Sequence, residues 1–227
     1  AACFSLAAPS VASAAEFTLA SEQEAAAAIS APDEYLEAVT STDISIWLRQ
    51  PNSVADRDAL ARHLAANVRP WSSDERARLE AMLERLEPRL QQLAPWLPEH
   101  VQIAAFNGEA SSNADFTRGT TIFLAELKPT DAGLDERFFH ELYHVLSRAN
   151  AARRDELYAI VGFERCTPMT LDRALTSRIL VNPDAPIIEY ASRIVINGKT
   201  LWATPLMLAN LPRYTERSGL FDHIELQ

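Results

Sequence analysis

Residues 135–149 form the stretch that most constrains how this chain can fold. Apolar side chains recur in it at three- and four-residue spacing, at Phe138, Leu142, Val145 and Ala149. This spacing predicts an amphipathic helix that packs against a core along one face. His140 and His144 stand four positions apart on the same helix, so both imidazoles lie along one edge of the apolar stripe. The fold must therefore bury this helix and leave that edge accessible.

The N-terminal third is predicted to be helical. Candidate helices cover residues 21–29, 32–39, 43–48 and 56–68. A longer amphipathic helix follows Pro70, with leucines at three- and four-residue spacing up to Leu93. Ser72 can cap its N-terminus with Glu75 as the reciprocal partner, whereas Pro88 lies inside the pattern and is expected to kink or split the helix.

Strand patterns begin after Pro98. Residues 100–106 and 120–124 are candidate strands, residues 153–162 a candidate helix, and residues 187–196 and 199–203 the two arms of a hairpin around Asn197-Gly198. The order predicts an α+β fold with a helical N-terminal region, a small antiparallel or mixed sheet, two consecutive helices and a C-terminal β-hairpin. We expect one domain over residues 15–227, with a helical subregion at 15–98 and the histidine-bearing subregion at 99–227.

The chain is acidic, with a formal net charge of -10 over 227 residues. Because no Lys/Arg-rich block offsets this charge, the composition argues against nucleic acid and anionic membrane surfaces as partners. Apolar residues make up 48% and charged residues 23%, which suffices for a globular core. No segment after residue 14 reaches the roughly 20 apolar residues of a membrane-spanning helix.

Residues 1–14 are small and apolar, and Ala12-Ser13-Ala14 fits a small-x-small cleavage site. This pattern is typical of the last part of a secretory signal peptide. We therefore expect a secreted or periplasmic protein, with a lipoprotein anchor on Cys3 as the weaker alternative. Cleavage after Ala14 would leave Cys166 as the remaining cysteine, so no internal disulfide is expected.

His140, Glu141 and His144 form an H-E-x-x-H motif. Histidines four apart on a helix can reach one ion, and zinc accepts neutral imidazole nitrogens at about 2.0–2.1 Å. Glu141 points about 100° around the helix from His140, from where it can reach a metal-bound water without occupying a coordination position. The motif therefore predicts a zinc site in which Glu141 is the catalytic base of a hydrolase.

The third metal ligand is left open by the motif. Ser147 and Asn150 occupy the positions where metzincins carry Gly and His, which excludes that class. A carboxylate is the usual alternative. The acidic residues in range downstream are Asp155, Glu156 and Glu164.

Residues 138–166 resemble the gluzincin group of zinc metallopeptidases, the thermolysin-like division. In that group a Glu on the helix after the H-E-x-x-H helix completes the metal shell, and the resemblance implies Glu164, 20 residues after His144. Phe163 stands where the group usually has Asn. In zincins generally, an edge strand before the metal helix binds extended peptide. Residues 116–124 occupy that position, and they equally fit an ordinary strand of a small sheet.

These observations predict a secreted or periplasmic zinc metallopeptidase that cleaves amide bonds in a protein or peptide substrate. The alternative is a non-catalytic zinc-binding envelope protein in which the metal braces the helices, and the missing Asn supports it. Zincins also place a Tyr, His or Arg opposite the base to stabilise the oxyanion. Tyr190, Tyr214 and His223 follow the site helices and are the residues of these types considered for that role.

Overall fold

The computed structural model describes residues 15–50, 56–128, 132–167, 171–210 and 223–226. Its first part contains β1 (Glu16–Leu19), α1 (Glu22–Ser30), α2 (Glu34–Ala38), α3 (Ser41–Leu48), α4 (Arg57–Ala66), β2 (Val68–Arg69) and α5 (Ser73–Leu93). Its second part contains β3 (His100–Phe106), α6 (Gly108–Ser111), β4 (Phe116–Arg118), β5 (Thr121–Leu124), α7 (Leu134–Ala149), α8 (Arg154–Ile160), β6 (Phe163–Arg165), α9 (Arg173–Thr176), β7 (Ile179–Leu180), β8 (Tyr190–Ile196), β9 (Lys199–Ala203), β10 (Met207–Ala209) and β11 (Ile224–Leu226).

The central sheet has the strand order β1-β3-β5-β4, and β2 pairs with the end of β3. Strands β1, β3 and β5 are parallel, whereas β4 runs antiparallel to β5 at the edge. Side chains of β3 alternate between the two faces of the sheet. Val101, Ile103 and Ala105 join one core cluster with α5 and α7, while Ala104 and Phe106 join another with α1 and α4. Helices therefore cover both faces of this sheet, and the α+β prediction is confirmed.

Helix α5 is continuous from Ser73 to Leu93, so the expected split at Pro88 does not occur. The helix buries Leu79, Met82, Leu86 and Leu90 along one face on both sides of the proline. Burial of this stripe offsets the hydrogen bond that Pro88 removes. The predicted capping box of Ser72 and Glu75 is present.

Two predictions about strands are corrected. Residues 116–124 form a hairpin, β4 and β5, because Gly119 takes a positive φ of 56° and reverses the chain. Strands β1 and β2 come from the region predicted to be helical, and both pair with β3. The C-terminal hairpin of β8 and β9 is confirmed, with positive φ at Asn197 and Gly198.

Several sequence predictions fall outside the described residues. The signal-peptide segment 1–14, with Cys3, and Tyr214 are among them. Within the described ranges, no helix is long and apolar enough to cross a membrane.

An ion pair between Arg69 and Glu75 joins β2 to the start of α5. Arg69 Nη2 and Nη1 donate to Glu75 Oε1 at 2.7 Å and Oε2 at 2.9 Å, and the Ser72 backbone N–H donates to Oε2 at 3.0 Å. Burial raises the pKa of Glu75, but the hydrogen bonds from Arg69 and Ser72 outweigh it and lower the pKa to about 2. Because this value lies below the ordinary 4.5, the pair stabilises the fold above pH 4.5, and the contribution is lost as the pH falls towards 2.

We therefore expect Glu75→Gln to lower the free energy of unfolding by about 2 kcal/mol at pH 7, with the difference from wild type shrinking between pH 4.5 and 2. Urea denaturation over this pH range measures it. Glu80→Gln is the matched control on the same helix, because exposed Glu80 lies 4.0 Å from Arg76 and should contribute less than about 0.5 kcal/mol. Equal losses for the two variants would contradict the assignment.

Candidate metal centre

Helix α7 carries the motif, and its buried stripe fixes which side faces the sheet. The fully buried members are Phe138, Leu142 and Val145. They belong to the same core cluster as residues of β3 and β5. The neighbouring side of the helix presents His140, which is exposed, and His144, which is half-buried. The predicted edge of histidines beside an apolar stripe is confirmed for Phe138, Leu142 and Val145, whereas Ala149 at the end of the predicted stripe is exposed.

The two imidazoles are oriented towards each other. His140 Nε2 and His144 Nε2 lie 3.2 Å apart, and the ring centroids are 4.9 Å apart. Two nitrogens bound to one tetrahedral zinc at its usual bond lengths are separated by about 3.3 Å. The spacing of these two atoms therefore fits a shared ion.

Glu141 lies in the protein interior beside this pair. Its side chain is 4% exposed, and its Oε2 is buried without a hydrogen-bond partner. His144 Nδ1 is likewise buried and unpartnered. Unsatisfied buried polar atoms are costly, and a bound cation would satisfy the Glu141 oxygen. An ion held between the two Nε2 atoms would not reach His144 Nδ1, which lies on another side of the ring.

Asp184 is brought to the site by the loop between β7 and β8, 40 residues after His144. One oxygen each of Asp184 and Glu141 and one ring nitrogen of His144 lie within 4.8 Å of one another. Carboxylate oxygens and imidazole nitrogens are common metal ligands. The group Glu141, His144 and Asp184 can therefore hold a metal ion.

Hydrogen bonds fix the position of Asp184. Its Oδ1 accepts from the backbone N–H and the hydroxyl of Thr117, both at 2.8 Å. Arg148, one turn after His144 on α7, donates Nη2 to the carbonyl oxygens of Pro183 at 3.2 Å and Asp184 at 3.3 Å. Its Nη1 donates to Gly119 O at 3.2 Å. The loop and the β4–β5 turn are thus held against α7, and these contacts fix the carboxylate of Asp184 beside His144.

The hydrogen bonds between Thr117 and Asp184 lie at the edge of the central sheet. Strand β4 has three residues, all buried, and its middle residue Thr117 has its backbone N–H engaged by Asp184. Strand addition requires free backbone groups along an edge. In this conformation, β4 offers little backbone for an extended peptide to pair with.

Burial shifts the protonation of the site residues. It raises the pKa of Glu141, and the negative charges of Asp184 and Asp115 raise it further. Burial lowers the pKa of His144, although nearby Asp184 acts in the opposite direction. His144 is therefore neutral near pH 7, which is the form that binds metal. A cation at this site would favour the ionised form of Glu141.

None of the three downstream acids joins this group. Each is paired with an arginine: Asp155 with Arg165 at 2.9 Å, Glu156 with Arg153 at 2.7 Å, and Glu164 with Arg193 at 2.7 Å. Glu164 lies on strand β6, because α8 ends at Ile160 and Gly162 turns the chain with a φ of 82°. The helical position that the resemblance implies for this ligand is thus not where Glu164 lies.

Two of the three candidate residues for oxyanion stabilisation, Tyr190 and His223, lie in the described part of the chain. Tyr190 is buried, and its hydroxyl donates to Asp155 Oδ1 at 2.6 Å and accepts from Arg165 Nη2 at 2.8 Å. His223 is buried next to β11, and its backbone oxygen accepts from Asn210 at 2.7 Å. His223 does not belong to the group around His144, whereas Tyr190 lines the same cavity as His140 and His144.

His140 lies between two depressions. One is an open pocket of about 400 Å³ that Asn113, Asp115, Arg137 and Glu141 help to line. The other is a cavity of about 660 Å³ that extends from His140 and His144 past α8, β6 and the loop that carries Asp184. The candidate metal centre is therefore accessible from both sides.

Comparisons of this chain with protein-family models, with curated proteins and with solved structures give no match. The assignment of function consequently depends on the residues of the site.

Sequence reasoning missed Asp184. No motif marks it, since its only local signal is a turn between Pro183 and Pro186, where the Asp184 N–H donates to Asn182 Oδ1 at 3.0 Å. An acid in a proline-flanked turn is common without any ligand role. Asp184 reaches His144 through the tertiary fold alone.

Proposed function

We propose that this protein is a zinc-dependent hydrolase of amide bonds, with His140, His144 and Asp184 as metal ligands and Glu141 as the catalytic base. The observation that carries the proposal is the 3.2 Å separation of His140 Nε2 and His144 Nε2 beside the buried Glu141 carboxylate. Asp184 replaces Glu164 as the proposed third ligand, because its carboxylate is near His144 while that of Glu164 is neutralised by Arg193.

The division of roles follows from geometry and charge. Two histidines and one carboxylate make the usual set of protein ligands of a catalytic zinc, with a fourth position left for water. A zinc ion held there would supply Lewis-acid chemistry, lowering the pKa of a water and polarising a carbonyl oxygen. Glu141 is buried and without a hydrogen-bond partner at Oε2, so this oxygen would be free to accept a proton from the attacking water and to pass it to the leaving amine nitrogen.

One observation favours a non-catalytic alternative. Glu141 lies as close to His144 and Asp184 as a ligand would. If Glu141 also coordinated the ion, the four side chains would close the shell, as in structural zinc sites. The two functions make opposite predictions for the metal content of a Glu141 variant.

The metal itself is tested by binding. We expect the purified chain to bind one zinc ion, and His140→Ala or His144→Ala to weaken zinc binding by about 100-fold or more, because each removes a ligand. Titration against a competing chelator measures the affinity. His100→Ala is the control, since His100 is exposed and pairs with Glu16. If zinc affinity were equal in all four proteins, the motif would not be a metal site.

A further inference from the structure

The larger depression beside the candidate metal centre is lined mainly by apolar side chains. These include Val161, Phe163, Leu180, Ile187, Leu206 and Met207. The carboxylates among the described lining residues are those of Asp184 and Glu189. Glu189 is neutralised by Arg154 at 3.1 Å and Arg165 at 2.7 Å, so Asp184 marks the polar end of the cavity.

The cavity is larger than a subsite for one amino-acid side chain. Its volume of about 660 Å³ is in the middle of the range of pockets that enclose whole small molecules, about 300–1,000 Å³. Its wall reaches the surface at Val161 and Ile187, each 53% exposed. An apolar group can therefore enter from solvent and extend to His140 and His144.

The supply of hydrogen-bond partners in the cavity decides whether a hydrocarbon or a peptide is the better occupant. A buried peptide backbone needs a partner for each N–H and C=O, and an unpaired group is costly. Polar side chains that line the cavity are already engaged within the protein: the Tyr143 hydroxyl donates to Leu157 O, the Tyr190 hydroxyl donates to Asp155, and Asn182 Oδ1 accepts from the Asp184 N–H. A hydrocarbon chain needs no such partners and gains affinity from burial alone.

We propose that the cavity binds a long acyl chain, so that the substrate is an N-acylated amine or N-acylated peptide whose scissile amide lies at His140 and His144. This assignment rests on the proposed function. Hydrolysis would add water across the C–N bond: the carbonyl carbon gains the hydroxyl and becomes a fatty carboxylate, and the nitrogen gains the proton and leaves as an amine.

Binding of the product acid tests the occupant without any turnover. The probes are saturated fatty acids from about four to about fourteen carbons, titrated into the zinc-free protein against a displaceable fluorescent apolar dye. We expect affinity to rise about three- to fourfold for each added methylene, well beyond the length of any amino-acid side chain. Affinity that stops rising at about four to six carbons would indicate a side-chain subsite and overturn the proposal.

Substitutions of residues that line the cavity test whether the acyl chain binds there. Leu206→Glu puts a charge into the cavity and should weaken binding of long-chain acids at least tenfold. Leu201→Glu makes the same change on the exposed face of β9 and should have no effect. Val161→Glu and Val195→Glu repeat the comparison at two exposed positions that tolerate charge, only the first of which lines the cavity. Equal effects within each pair of variants would show that the acyl chain binds outside this cavity.

Hydrolysis then separates the two proposals. Cleavage of long-chain N-acyl glycines but not of N-acetyl glycine supports both. Cleavage of unacylated peptides with no preference for the acylated ones overturns the acyl-chain assignment and keeps the hydrolase. Binding of fatty acids without hydrolysis of any amide overturns the hydrolase instead.

Discussion

Glu141→Gln is expected to reduce hydrolysis by about 10²–10⁴-fold while the protein still binds one zinc ion. Glutamine has nearly the same shape but cannot accept a proton, so the variant removes the base and keeps the fold. The measurements are the initial rate on a panel of peptides and N-acyl amides, and the zinc content after dialysis. Glu156→Gln is the control, because exposed Glu156 pairs with Arg153 outside the site.

The same variant also has a predicted effect on stability. Burial and nearby acids raise the pKa of Glu141 above its ordinary value. The zinc-free fold therefore loses stability as the pH rises above that ordinary value, because the carboxyl ionises in the unfolded chain while it is still protonated in the fold. Gln carries no charge. Thermal unfolding of the zinc-free proteins at pH 7 should therefore give a higher midpoint for Glu141→Gln than for wild type.

Two outcomes would contradict the assigned role of Glu141. Undiminished hydrolysis in the Gln variant would exclude it as the base. Loss of zinc together with hydrolysis would make Glu141 a ligand, and the closed structural site would then be the better account of the group around His144.

Asp184→Asn is expected to weaken zinc binding by about 100-fold or more, whereas Glu164→Gln should leave it unchanged. Asn keeps an oxygen that can accept from the Thr117 N–H and hydroxyl, so the loop stays in place and the main loss is the ligand charge. Glu164 pairs with Arg193 on the surface of β6 and β8, where its replacement costs little. Chelator competition on both variants measures the difference.

The opposite result would restore the ligand that the gluzincin resemblance implies. If Glu164→Gln lost zinc and Asp184→Asn kept it, residues 163–165 would have to approach α7 in the zinc-bound protein. A loss in both variants that was accompanied by a lower unfolding midpoint would instead indicate general damage to the fold. Circular dichroism of the two zinc-free variants makes this distinction.

Local physics explains what the sequence determined about this protein. Helix periodicity put Phe138, Leu142 and Val145 on one buried face and His140 and His144 along its edge, because 3.6 residues per turn fixes those directions without any tertiary contact. Backbone preferences at Asn197-Gly198 fixed the C-terminal hairpin in the same way. Each of these features depends on residues that are only a few positions apart in the sequence.

The rest was decided by packing between distant segments. Pro88 stays inside a continuous helix because the leucine stripe of α5 is buried on both sides of it. Asp184 reaches His144 because Arg148 and Thr117 hold its loop against α7 and β4, and Glu164 is held on β6 by its pairing with β8. The sequence determined a helix that carries two histidines along one edge with the carboxylate of Glu141 beside them. Only the tertiary structure decided which carboxylate lies near His144, because contacts over 40 residues of chain depend on how the loops pack, and no periodic pattern encodes them.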